Sequence, residues 1–181
     1  MTDAGQFEAF VRKYQDMVFA TAVRLLGSPA EAEDVSQTVF LKAFQRFETI
    51  GGSPAVAGWL KTVTTNACLN HLSRYRARWR FFSELERGGR DDADSQFETT
   101  LVSKSSPALE LEQADDRARL EQALQRLPDS QRVPLVLFHF EDMSYQAIAD
   151  LLGVSLGKVK TDIHRGRDAL KKHLSTSHVS R

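Results

Sequence analysis

Ser144-Tyr145-Gln146-Ala147-Ile148-Ala149-Asp150-Leu151-Leu152-Gly153-Val154-Ser155 contains two helix starts and one forced turn. Ser144 is placed to cap a short helix through about Leu152, with Ile148, Ala149, Leu151 and Leu152 facing inward. Gly153 follows as the residue able to take a left-handed turn. Ser155 caps the next helix, which turns Val159, Ile163 and Leu170 to one side and leaves Lys158, Lys160, Thr161, His164, Arg165 and Arg167 for the others. The small Ala149 lets the two helices approach, and Val154 with Val159 pins the crossing, so the pattern is a helix-turn-helix. Lys160, Thr161, His164 and Arg165 share a face that could enter a major groove and reach base edges. Lys158, Arg167 and Lys171 suit phosphates, and Asp162, awkward beside phosphates, is expected on the flank. The plainer alternative is an ordinary helical hairpin with a charged solvent face.

Upstream, Leu109, Leu111, Ala114, Ala118, Leu120, Ala123, Leu124 and Leu127 recur at helical spacing until Pro128 and Asp129 break them. The apolar run Val133, Leu135, Val136, Leu137 and Phe138 reads as a buried helix, because neither turn signals nor strand alternation surround it. Residues 108–181 thus form one helical domain. Between Ser83 and Pro107 apolar residues thin out and Gly, Asp, Ser, Thr and Glu dominate without period, which predicts a flexible acidic linker over 83–107.

Residues 1–82 read as a second helical domain. Phe7, Phe10, Val11, Tyr14, Val18, Ala22 and Leu25 make the stripe of a helix ending at Gly27. Ser28-Pro29-Ala30-Glu31 is a cap, a first-turn proline and a capping-box glutamate, and the helix it starts carries Ala32, Val35, Val39, Ala43 and Phe47 inward until Gly51-Gly52. A third helix is expected from about Pro54 to about Phe82, with Trp59, Leu60, Val63, Ala67 and Leu72 inside. The fold class is all-α, with two small helical domains.

The net charge of zero conceals sorting: +3 over residues 1–80, −6 over 81–115, −2 over 116–152 and +5 over 153–181. Between Thr49 and Ser83 no acid occurs, while Lys61, Arg74, Arg76, Arg78 and Arg80 do. Basic zones of this kind supply the sequence-independent part of nucleic-acid affinity. No apolar run approaches the roughly 20 residues that cross a bilayer, so no membrane insertion is expected. Met1-Thr2-Asp3-Ala4 lacks the basic start of a secretory signal, and a cytoplasmic protein is expected. The single cysteine, Cys68, cannot form an internal disulfide.

Two blocks resemble the sigma-70 superfamily and, within it, the small extracytoplasmic-function (ECF) group. The first is Ala32 to Phe44, followed by Gly58-Trp59-Leu60, Asn66 and Arg74-Tyr75-Arg76; the second is Leu127 to Arg132, Ser144 to Ala149, Gly157 to Lys160 and Arg165-Gly166-Arg167. The resemblance implies an RNA polymerase sigma factor that directs core polymerase to promoter DNA and helps to open it. It implies that Asp34, Gln37, Thr38, Phe40 and Leu41 dock on the clamp helices of the largest polymerase subunit. The second domain would meet the flap of the second-largest subunit. Lys61, Asn66, Asn70, Arg74, Arg76 and Arg78 would serve the minus-10 element, and the loop Ile50 to Ala57 would receive an unstacked base. Lys158, Lys160, Thr161, His164, Arg165 and Arg167 would serve the minus-35 element. By the same resemblance the linker would run through the polymerase toward its active-site and RNA-exit region, and an anti-sigma factor would hold the protein inactive. Lys158, Asp162 and Gly166 depart from the family's usual Thr, basic residue and Ala.

Other function classes find less support. The chain has no Gly-rich phosphate loop, no metal-ligand cluster and no nucleophile with a convincing base, so neither an enzyme nor a cofactor is expected. Cys68 and His71 are spaced to share a metal, but a lone pair within an apolar helix reads as core. A DNA-binding regulator without polymerase would leave the Asp34 to Phe44 block unexplained, and a sigma mimic would have no use for Lys160, Thr161 and Arg165.

Overall fold

The computed structural model describes residues 3–72 and 107–176, the side chains of 107–113 excepted. Within them the protein is helical throughout, in two groups: α1 (Ala4–Leu26), α2 (Pro29–Gln45), α3 (Phe47–Ile50) and α4 (Val56–His71), then α5 (Pro107–Arg126), α6 (Asp129–His139), α7 (Tyr145–Leu152) and α8 (Leu156–Thr176). The continuation of the third helix to Phe82 lies outside the described residues, as does the expected linker over 83–107 except for Pro107, which is the first residue of α5.

The punctuation of the chain acts as its chemistry demands. Gly27 ends α1 in the left-handed region at φ 68° while its N–H donates to the Val23 carbonyl. Ser28 then accepts the Glu31 N–H at the start of α2, with Pro29 in the first turn. Helices α1, α2 and α4 pack around Val18, Ala22, Leu25, Ala32, Val35, Val39, Ala43 and Leu60. In the second half α6 lies against α8, α5 covers α8, and α7 crosses α8. Its centre is Leu124, Val133, Leu135, Val136, Leu137, Ile148, Val159 and Ile163.

Two details differ from the pattern in the sequence. Helix α2 stops at Gln45, and Phe47 belongs to the short α3 instead, because its ring seats against Phe7 and Phe10 at centroid distances of 5.2 and 5.3 Å. The buried face of α4 is rotated: Leu60, Thr64, Thr65, Cys68, Leu69 and Leu72 are interior, whereas Trp59, Val63 and Ala67 are half-buried. A threonine can occupy the centre of this core because Thr64 Oγ1 donates to the Leu60 carbonyl at 2.7 Å, which leaves only its methyl to pack.

The halves are packed against each other, α1 against both α5 and α6, and the apolar core runs through the contact without a break. Its polar centre is Arg132 of α6. Arg132 Nε donates to the Leu25 carbonyl (3.2 Å) and Nη2 to the Leu26 carbonyl (3.0 Å), while Nη1 donates to Leu127 O (2.7 Å) within its own half and the guanidinium also pairs with Asp129. A Cβ on Gly27 would lie 2.6 Å from Arg132 Cζ, so the close approach needs glycine as much as the turn does. Nearby, Arg24 Nε donates to Glu121 Oε1 (2.7 Å) and its guanidinium covers the Phe140 ring, 4.5 Å from the centroid.

Cys68 is buried in this core, and burial, with a smaller contribution from Glu141, pushes its thiol up to about 12. The thiolate is the reactive form, so the native protein should resist iodoacetamide at pH 8 by at least about a thousandfold relative to an ordinary thiol. Mass spectrometry should find Cys68 alkylated only after guanidinium is added; rapid native labelling would contradict the burial.

Candidate nucleic-acid interface

Helix α7 begins at Ser144, whose Oγ accepts the Ala147 N–H at 3.1 Å, and ends at Gly153, left-handed at φ 68°, whose N–H returns to the Ala149 carbonyl. Val154 N–H donates to the same carbonyl, and Ser155 Oγ accepts the Lys158 N–H at the start of α8. Every turn residue picked out in the sequence thus does its expected local work, and α7 and α8 form the expected helix-turn-helix.

On α8, Lys160, His164 and Arg165 are exposed and Thr161 half-exposed, all on the face away from α6. His164 Nε2 lies 3.3 Å from Asp168 Oδ2, one turn on. Two further residues expected at phosphates are placed otherwise. Lys158 is buried, its Nζ 2.9 Å from Asp162 Oδ2, with side chains 7% and 8% exposed. Asp162 is therefore inside the domain and not on its flank, and Lys158 faces a carboxylate instead of solvent. Arg167 turns toward α6, where its Nε donates to His139 Nε2 (3.1 Å) and its guanidinium lies 5.6 Å from the Phe138 ring centroid. Burial, then the Arg167 charge, holds the His139 imidazole below its ordinary value, which suits an acceptor nitrogen. Gly166 is buried where α8 crosses α6, and a Cβ there would sit 3.4 Å from the Gln131 carbonyl oxygen.

In the first half, Lys61, Asn66 and Asn70 are exposed on α4, while Arg74, Arg76 and Arg78 lie outside the described residues. The charge of Lys61 acts on Glu141 of the α6–α7 turn. Burial raises the Glu141 carboxyl above the ordinary glutamate value, and Lys61 and Arg24 offset part of that rise. His71 Nε2 lies 3.3 Å from Glu31 Oε1 while Cys68 is turned into the core, so the two side chains do not converge. Beside the loop that follows α3, a cleft of about 520 Å³ is lined by the aromatic Phe10, Tyr14 and Phe47, by Lys13, Gly51 and Gly52, and by the acidic Asp3 and Glu48 among others. Aromatic walls, open space at Gly52 and a lysine suit an unstacked base, while Asp3 and Glu48 would keep phosphates away from the cleft.

On α2, Asp34, Gln37, Thr38 and Leu41 are exposed, Leu41 at 66%, whereas Phe40 is half-buried and packs on the core. Phe44, not among the residues expected to dock, completes this face: it is 48% exposed with its ring 5.0 Å from that of Phe7. A continuous step Gln37, Leu41, Phe44 in the sequence could have identified it. The roles of Arg24 and Arg132 had no signal in the sequence, since their partners lie 97 and 106 residues away. Among the described residues no helix is long and apolar enough to cross a membrane.

A family profile described as "Sigma-70 region 2" matches residues 10–79, and one described as "Sigma-70, region 4" matches residues 117–170. The RNA polymerase sigma-H factor of Pseudomonas aeruginosa is 31% identical over 172 residues, covering 95% of this chain and 88% of that protein. The "ECF RNA polymerase sigma factor SigW" of Bacillus subtilis is 28% identical over 174 residues, 95% of this chain and 90% of that one. The sigma factor RpoE in complex with the anti-sigma factor NepR, from Bartonella quintana, aligns with 97% of this chain and 98% of its own at 22% identity and a TM-score of 0.49.

The Lys158–Asp162 pair yields a stability prediction. Removing one partner leaves a buried charge without its counterion, so Lys158→Met should lower unfolding free energy by about 3 kcal/mol, and Lys158→Met/Asp162→Leu should recover most of it. Urea denaturation of the three chains checks this; equal midpoints would mean the pair is solvated.

Proposed function

The chain belongs to the sigma-70 superfamily and to its ECF group, and from that membership we propose that it brings core RNA polymerase to a set of promoters and assists their opening. The observation that carries the reading is the succession of two regions in one chain, a helical block with an exposed Gln37–Leu41–Phe44 face and a helix-turn-helix with exposed Lys160, His164 and Arg165. In this reading residues 1–82 hold the polymerase and read the minus-10 element, 83–107 link, and 108–181 read the minus-35 element and meet the flap.

Asp34, Gln37, Thr38 and Leu41, with Phe44, are the proposed contacts with the clamp helices of the largest subunit. Apolar Leu41 and Phe44 supply the area, and the polar residues set the register. Phe40 acts by supporting that face. Lys61, Asn66, Asn70, Arg74, Arg76 and Arg78 are assigned to minus-10 DNA, and the cleft between Tyr14 and Phe47 to an unstacked base. Lys160, Thr161, His164 and Arg165 are assigned to minus-35 base edges, with Lys171 at phosphates. Lys158 and Arg167 leave the set of direct contacts, because one is buried against Asp162 and the other is engaged with His139. Such a protein works in the cytoplasm, catalyses no reaction of its own and needs no cofactor. An anti-sigma factor is the expected negative regulator, as the name of the Bartonella quintana complex records for that sigma factor.

Transcription in vitro, with core polymerase and pooled genomic fragments, tests the reading. Discrete start sites are expected with the wild type. Arg165→Ala should weaken them by about 5- to 150-fold, the value of one to three kcal/mol of base-edge contact, without changing core affinity. Gln37→Ala should instead lower core affinity by about 3- to 10-fold. DNA binding that persists without any core-dependent start site would identify a polymerase-independent regulator.

A further inference from the structure

Helix α8 carries a basic stripe from which one member is turned away. Lys160, His164, Arg167 and Lys171 follow one another at steps of four, three and four residues, which places them along one line of the helix. Lys160, His164 and Lys171 are exposed along that line. Arg167 is half-buried, because its guanidinium is folded sideways onto the end of α6: Nε donates to His139 Nε2 at 3.1 Å, and Cζ lies 5.6 Å from the centre of the Phe138 ring.

A ring nitrogen that accepts a hydrogen bond carries no proton. The bond therefore requires a neutral His139 with its proton on Nδ1, and burial together with the Arg167 charge keeps the ring neutral around pH 7. An imidazolium has a donor at each nitrogen and no acceptor, so protonation removes the bond and sets two cations against each other. Arg167 reaches His139 from α8, where Lys171 follows one turn on and Asp168 is paired with His164 at 3.3 Å. The turn after α6 carries Glu141 and Asp142, and α7 comes in with the Tyr145 ring, stacked 4.7 Å from Phe138. Among the described residues, Arg167 is the charge that acts on His139. With the bond gone, what remains to hold Arg167 is the face of Phe138, and a single ring is a weak hold on a partly exposed guanidinium.

We propose that His139 is a positioning residue for Arg167: neutral, it keeps the guanidinium on α6, and protonated, it releases it into the line of Lys160, His164 and Lys171, where it takes a DNA phosphate. The exchange between His139 and Arg167 rests on their geometry; that the released arginine meets DNA rests on the DNA-reading part of the proposed function. Arg167 thus belongs to the packing of its own domain at neutral pH and to the DNA face in acid. The linkage also runs in reverse: duplex DNA, by drawing out the arginine, favours the proton on His139.

Binding of the full chain to a fluorescent duplex of about 30 base pairs and arbitrary sequence, at about pH 8 and about pH 5.5, tests this, since a phosphate contact needs no particular sequence. In acid the salt dependence of the wild type should steepen by about one phosphate more than that of Arg167→Met, which is worth about tenfold in affinity at ~50 mM salt. Arg167→Met keeps His164 and so reports whatever gain that histidine brings. In His139→Gln, whose amide oxygen accepts from Arg167 at either pH, the extra gain should vanish while the circular-dichroism spectrum stays unchanged. An equal gain in wild type and Arg167→Met, or an undiminished gain in His139→Gln, overturns the proposal, and core-dependent start sites in the same preparation leave the sigma reading standing. The expected pattern in a chain that yields no core-dependent start site upholds the proposal and overturns the sigma reading instead.

Discussion

A helix must end somewhere, and its last carbonyls need partners. In this protein the end of α1 at Gly27 is completed by a side chain from the other half of the molecule: Arg132 donates to Leu25 and Leu26 while still bonded to Leu127 and Asp129. Much depends on that one guanidinium. It fixes how α6 lies on α1, and with it where α8, packed on α6, presents its basic face. The turn after α6 bends through Asp142, which takes φ 52°, a conformation that a short polar side chain tolerates.

The helix-turn-helix shows how packing and recognition divide one helix. Val159, Ile163 and Gly166 belong to the interior, and Lys160, His164 and Arg165 to the surface, so α8 is amphipathic in the ordinary sense. Lys158 and Asp162 break that division because they are charged and buried. Paired at 2.9 Å one turn apart, they neutralise each other, and the helix can sink deeper than its charge content suggests. A basic residue placed by sequence on a DNA face can thus be consumed by an acid four residues on.

Most of the local structure was legible in the sequence because its causes are local. Ser28, Ser144 and Ser155 cap, Gly27 and Gly153 turn, and the stripe Ala32, Val35, Val39 and Ala43 is buried as its spacing predicts. The inner face of α4 was misjudged because hydrophobicity alone favours Trp59 and Val63, whereas a threonine that satisfies its own hydroxyl packs like a valine. The candidate surfaces were legible where residue type decides exposure, as for Gln37, Asn66, Lys61 and Lys160, and illegible where a distant partner decides it, as for Arg167 with His139. Spacing along one helix carries no information about a neighbour tens of residues away.

The span between Leu26 and Arg132 also has a meaning in time. A ribosome that adds about 5–20 residues each second needs roughly 5–20 s to reach Arg132 after Leu26, and longer still to clear it from the exit tunnel. Helices α1, α2 and α4, whose mutual contacts are complete within the first 72 residues, can assemble in that interval with the end of α1 bonded only to water. Each newly made molecule therefore passes through a stage in which the contacts of its first half are available and its second half is not yet there to cover it.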